Sequence, residues 1–287
     1  MRRVLRWAGY SVGGLVVLAV LAFAFVWFAA ESTLNATVTP RAQRLATATA
    51  TPAQLATGRH LLRVLGCQGC HGEKLEGRNF FDDPKLATLY APNLTLLAAE
   101  ATDAQLDRAI RQGAGVDGRA LLIMPSESYQ FLTDEETSGL IAALRAMPKA
   151  GQQQPDRSVG PIGRIGLVTG KFHTVPQLVG EYRATPLPDF GARFAAGRHF
   201  VEIKCNECHG ADLKGQELEP SVVSSDLAIV GAYDLDQFKT LMRTGVPPSK
   251  KKLGLMAEVS IGDFAHLTDQ EIADIHAYLA ERARRAP

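Results

Sequence analysis

All four cysteines of this 287-residue chain fall in two copies of one pattern, Cys67-Gln68-Gly69-Cys70-His71 and Cys205-Asn206-Glu207-Cys208-His209. Two thiols separated by two residues sit on one helical turn, where they can reach the two vinyl groups of a haem. The histidine that follows can then reach the iron. The spacing therefore predicts covalent attachment of two c-type haems, with His71 and His209 as axial ligands to iron. Zinc would need both cysteine pairs in one tetrahedral site, and a redox dithiol does not require the adjoining histidine.

The elements that must carry these motifs are themselves repeated. Gly58-Arg59-His60 lies ahead of the first motif and Gly197-Arg198-His199 ahead of the second; Arg111-Gln112-Gly113 answers to Arg243-Thr244-Gly245, and Leu132-Thr133 to Leu267-Thr268. Thr51-Pro52 opens a helix that runs into Cys67, and Asp189 is placed to cap its partner ahead of Cys205. A middle helix follows Thr102 and ends at Gly113, and its copy runs from Asp234 to Gly245. The last helices open on capping boxes, Thr133 with Glu136 and Thr268 with Glu271. No stretch alternates as a sheet requires, so the class is all-α.

Composition bounds the rest. Lys and Arg number 31 against 30 Asp and Glu, leaving no strong field for gripping nucleic acid. The charge is unevenly spread: Arg2, Arg3 and Arg6 precede an uncharged apolar run over residues 8–30, long enough at about 1.5 Å per residue to cross a hydrocarbon core of about 30 Å. A cleaved signal peptide is the competing reading, but its apolar region is shorter, about 7 to 15 residues, and Ala29-Ala30-Glu31 makes a poor cleavage site. Residues 1–30 thus read as a transmembrane anchor whose arginines stay cytoplasmic, sending the rest of the chain to the outer face. Residues 31–50 read as a spacer, 51–148 as a first domain, 149–188 as a proline-interrupted linker and 189–287 as a second domain.

On the two CxxCH motifs, a methionine in each following loop and a last helix ending in Leu140–Leu144 or His276–Leu279, residues 51–148 and 189–287 each resemble a monohaem cytochrome c. The segments Ala91-Pro92-Asn93-Leu94-Thr95, Ile110–Gly113 and Met124-Pro125-Ser126 are similar to the cytochrome subunits of membrane-bound bacterial dehydrogenases, which commonly carry three haems rather than two. The resemblance implies Met124 as sixth iron ligand in the first domain, between the glycine-rich loop 113–118 and Pro125. It implies Met256 in the second, eleven residues past Gly245 as Met124 is past Gly113, although Ala257 replaces the proline. It also implies that Pro92, and in the second copy Pro220, offers its carbonyl to the axial histidine. Met147, beside the last helix, is a poor rival ligand, and Met242 reads as core. His60 and His199 read as surface or propionate contacts, with His173 in the linker and His266 and His276 at the last helix. The expected function is one-electron transfer between a redox donor and an acceptor at the outer face of a bacterial inner membrane. The alternative is a dihaem peroxidase with one open haem site.

Overall fold

The computed structural model describes residues 2–39, 44–47, 50–219 and 222–285. Helix α1 (Arg2–Leu34) is continuous through the apolar run, and its side chains over residues 6–22 stand exposed. Its last turns instead meet the body of the protein, burying Ala30 and Leu34.

The first unit contains α2 (Pro52–Val64), α3 (Cys67–His71), α4 (Leu94–Glu100), α5 (Asp103–Gln112), α6 (Ser126–Tyr129) and α7 (Asp134–Arg145). The expected punctuation is in place. Thr51, Thr102 and Thr133 each close a capping box with the residue three on, and Gly113 ends α5 in the left-handed conformation at φ 72. Helices α2 and α7 cross where two glycines meet: a Cβ on Gly58 would lie 2.0 Å from the Gly139 carbonyl oxygen, so the crossing requires the absence of a side chain. The second unit repeats the plan with α10 (Ala195–Phe200), α11 (Asn206–His209), α12 (Leu235–Thr244), α13 (Leu255–Gly262) and α14 (Asp269–Arg285). Asp234 with Gln237, and Thr268 with Glu271, form the matching boxes.

Three features depart from the sequence reading. Asp189 does not cap the helix before Cys205; its carboxylate accepts from the Gly191 N–H at 2.8 Å and pairs with Arg198, holding the turn ahead of a short 3-10 segment at Ala192–Phe194. The first helix does not run into Cys67 but stops at Val64, because Gly66 takes φ 74 before α3 begins. In the second unit, one residue shorter here, the helical path is unbroken through a π turn at Val201–Cys205. Short strands also occur: β1 (Arg78–Asp83), β2 (Ala87–Ala91) and β3 (Ser158–Val159) form an antiparallel sheet, and β4 (Glu217–Glu219) pairs with β5 (Val222–Val223). None alternates in sequence: β1 is exposed on both faces, β2 is half-buried on both, and the rest run three residues or fewer.

The flanking segments are structured too. In the stretch read as a spacer, the Ala46 N–H reaches Ser138 Oγ at 3.0 Å and Thr47 is buried, so this stretch lies along α7. The linker contributes β3 and two helices, α8 (Pro161–Val168) and α9 (Val175–Ala184), whose prolines stand in the first turns where a missing N–H costs nothing. A single apolar core runs through both units, from Leu61, Leu65 and Ile141 to Ile203, Phe238 and Tyr278.

Candidate haem sites

Each CxxCH motif sits on a helical turn that ends at its histidine. In the first, His71 Nδ1 lies 2.8 Å from the Pro92 carbonyl oxygen. A carbonyl can only accept, so Nδ1 carries the proton and Nε2 keeps the lone pair that a metal needs. In the second, His209 Nδ1 reaches the Ser225 carbonyl at 2.7 Å in the same way. Burial, opposed by that hydrogen bond, holds both imidazoles below the ordinary histidine pKa, so both are neutral near pH 7.

Pro92 therefore stands where the sequence put it, whereas Ser225 takes the role suggested for Pro220, which lies outside the described residues. The two surroundings superpose step for step. The Gly77 N–H donates to His71 O at 2.7 Å and Gly215 to His209 O at 2.8 Å; Leu94 donates to Leu75 O at 2.9 Å and Leu227 to Leu213 O at 3.0 Å. Leu75 and Leu213 both take positive φ, 59 and 63, and both are buried. Asn93 caps the next helix through its side chain, and Asp226 does the same in the second unit.

The thiols are placed for covalent use rather than for titration. Burial pushes Cys67 and Cys205 up to about 12 and Cys208 up to about 11, whereas a redox dithiol needs a depressed thiol pKa. The four cysteines do not converge with other side chains into a metal-holding cluster among the described residues. Thiols that are protonated, unpaired and within one helical turn of a histidine whose Nδ1 is already hydrogen-bonded fit a thioether-linked haem.

Met124 lies in the loop just ahead of α6, its carbonyl accepting from the Ser126 N–H at 2.8 Å. Met256 is the second residue of α13 rather than a loop residue. Both are half-buried against the core that Cys67 and Cys205 also border. Met242 is core, as read. Most remaining histidines have other work: His173 Nε2 meets Gly170 O at 3.2 Å and His276 Nε2 meets Tyr233 O at 2.8 Å.

The sequence reading missed what joins the two sites. Lys204, next to Cys205, is buried; its Nζ donates to the Leu65 carbonyl of the first unit at 3.1 Å and pairs with Asp263 at 3.1 Å and Glu207 at 3.6 Å. Ser128 Oγ donates to Asn206 Oδ1 at 2.5 Å, so a residue between the second pair of cysteines is tied to α6 of the first unit. His60 and His199 pair across the units: His60 Nε2 lies 2.8 Å from Glu271, and His199 Nε2 lies 2.8 Å from Glu136. The exchange is reciprocal, each copy's first helix meeting the other copy's last capping box. A polar residue recurring at one point of both copies was the available signal.

A family model described as "Cytochrome c" matches residues 55–148 and again residues 194–283. The chain belongs to the cytochrome c family. It carries two cytochrome c domains, and these imply two covalently bound c-type haems with their iron. Among curated proteins none matches the chain. In this cytochrome the residues that would hold the haems are Cys67, Cys70 and His71, and Cys205, Cys208 and His209. The protein's part is attachment, burial and a fixed imidazole, while the haem iron supplies one-electron redox chemistry.

Proposed function

We propose that this cytochrome is a membrane-anchored dihaem electron carrier, passing electrons one at a time from a dehydrogenase or quinol-oxidising donor to a terminal acceptor at the outer face of the cytoplasmic membrane. The observation that carries the reading is the direct joining of the two attachment segments. Lys204, the neighbour of Cys205, holds the carbonyl of Leu65, two residues before Cys67, within one apolar core. Two redox sites held so close and so rigidly suit transfer within the chain better than two independent reactions do. In this reading Met124 and Met256 close the sixth positions, which favours an electron carrier over a peroxide-binding site.

Retention of α1 is supported by its packing. Ahead of Glu31, the Arg164 guanidinium stands 3.8 Å over the centre of the Trp27 ring and Ala30 is buried. A leader destined for removal would have no reason to be embedded in the mature domains. The charge flank Arg2, Arg3 and Arg6 then sets the haem domains outside.

The test is a potentiometric titration of the purified chain with a spectrum of each redox state. Two one-electron steps and two low-spin haems are expected. A stable high-spin ferric haem that turns over peroxide would overturn the carrier reading in favour of a peroxidase. An N-terminus of the mature protein found near Glu31 would overturn the anchor and leave the redox chemistry standing.

A further inference from the structure

The linker helix α8 leaves an apolar face uncovered by protein. Ile162 and Ile165 are each 50% exposed, one turn apart on the same side, and Phe172 just beyond them is 48% exposed. The opposite side of α8 is pinned. The Ile162 N–H donates to Lys85 O at 2.9 Å and Gly160 N–H to Leu86 O at 2.9 Å, while a Cβ on Gly163 would stand 2.1 Å from Leu86 O. Helix α8 is thus clamped on the β1–β2 turn of the first haem domain and cannot roll to bury its isoleucines.

What lies beside that face is α1. A cavity of about 220 Å³ between the two helices is lined by Phe23, Val26 and Trp27 from α1 and by Pro161, Arg164 and Ile165 from α8. The Arg164 guanidinium stands 3.8 Å over the centre of the Trp27 ring and reaches Glu31 at 2.6 Å. Trp7 and Tyr10 mark one end of the apolar run and Trp27 the other. The 21 residues from Trp7 to Trp27 rise about 30 Å, the thickness of a hydrocarbon core, with tryptophan at each boundary. Ile165 therefore lies level with Phe23 and Val26, a turn inside the outer aromatic boundary. Lys85, whose carbonyl accepts from the Ile162 N–H, and Lys171, three residues past α8, are both exposed, as suits the headgroup layer.

Taking α1 as a retained membrane span, we propose that α8 rests in the outer leaflet beside it, with Ile162, Ile165 and Phe172 against lipid, so that the first haem domain is seated on the bilayer rather than tethered above it. The occupant of the apolar face is the acyl-chain boundary of the membrane that α1 crosses, because Ile165 of that face and Phe23 and Val26 of α1 line one apolar cavity, open between the two helices. Seating fixes the height and tilt of both haem domains, since α8 is clamped to the first and the two share a core.

Nitroxide labels on the full-length haem-loaded protein test this in vesicles of phosphatidylcholine and phosphatidylglycerol. Thioether bonds consume the native cysteines, so Ile162→Cys, Ile165→Cys, Phe25→Cys and Asp236→Cys each take one label, and the haem spectrum checks that each variant folds. With the haems ferric, and with a nitrogen-equilibrated sample subtracting their own relaxation, the ratio of collision with oxygen to collision with a water-soluble nickel chelate is read at each site. Labels at 162 and 165 are expected to match the lipid control at 25 and to exceed the aqueous control at 236 several-fold. If 162 and 165 match 236 while 25 remains in lipid, the seating of α8 is overturned and the anchor stands. If 25 also matches 236, the span itself fails and the seating with it.

Discussion

Removing the amine of Lys204 is the most direct probe of the joint between the two haem domains. Its side chain is 9% exposed, and its Nζ holds Leu65 O, Asp263 and Glu207. Burial by itself would favour the neutral amine, but the charges of Glu207 and Asp263 and the hydrogen bond to Asp263 outweigh it and hold the pKa well above the ordinary lysine value. At an effective dielectric of about 20, a pair 3.1 Å apart attracts by roughly 5 kcal/mol, from which desolvation must be subtracted. Lys204→Met keeps the stem and removes the charge, leaving Asp263 with an uncompensated partner and the Leu65 carbonyl with only the Tyr129 hydroxyl at 2.8 Å. Breaking a buried pair in this way costs about 3–5 kcal/mol. Because the two units share one core, the melting body is about 200 residues, and for that size this is a fall in Tm of roughly 6 to 20 °C. The raised pKa means that the stabilisation is fully present below about 10.5, the unperturbed lysine value, so the deficit should be constant from pH 6 to pH 9. Thermal unfolding followed by circular dichroism in the far-ultraviolet and haem bands measures it. Adding Asp263→Asn should recover part of the loss, because it removes the stranded carboxylate. A Lys204→Met variant with Tm within about 2 °C of the parent would refute the reasoning, since the measured cost would be that of an exposed pair.

Replacing Met124 or Met256 by Ala should leave both haems covalently attached while lowering the reduction potential of one haem and converting it to a high-spin or misligated form; two unchanged low-spin spectra would exclude these ligands. The His199–Glu136 contact should make the domain joint sensitive to pH. Burial opposes both charged forms, but their mutual hydrogen bond and charge win, with Glu202 also favouring the imidazolium, so His199 is raised and Glu136 lowered. The histidine's contribution is complete below about 6.5 and is lost as pH rises through its folded value, while the glutamate's is complete above about 4.3 and is lost as pH falls. The Tm difference between the parent and His199→Gln should therefore be largest between about pH 4.3 and 6.5 and shrink on raising the pH; a constant difference would show that the imidazole is never charged. Lys250, Lys251 and Lys252 are exposed on the loop leading into α13. If they attract an acidic redox partner, reversing them to Glu should slow electron transfer at low salt, with the difference fading as ionic strength passes about 0.1 M; equal rates at low salt would leave them as solubility residues.

Local chemistry is what could be read from the residues alone. CxxCH is a spacing on one helical turn, a capping box is a pattern of two residues three apart, and an apolar run of membrane length needs no partner to be recognised. For that reason the helical turns that carry the two CxxCH motifs, the paired helix starts at Thr102 and Asp234 and the long N-terminal helix all stand as the sequence implies. The resemblance extended this to the Pro92 carbonyl, which meets the imidazole 21 residues past His71. In the second unit the loop is shorter, and the carbonyl that meets the imidazole is that of Ser225.

Tertiary structure alone decided the contacts between segments distant in sequence. Glu136 and Glu271 are legible as helix caps, yet their carboxylates also reach His199 and His60 of the opposite unit, which no local pattern encodes. Lys204 looks like any helical lysine until the Leu65 carbonyl and Asp263 close over it. Residues 31–50 have too few large apolar side chains for periodicity to show, and in the linker Pro155, Pro161, Pro176, Pro186 and Pro188 interrupt it. Their described residues find cover from distant segments: Thr47 against the first domain, and Gly163 of α8 against the β1–β2 turn. Periodicity reports what a segment can bury, whereas the partner it buries against is set by the packing of the whole chain.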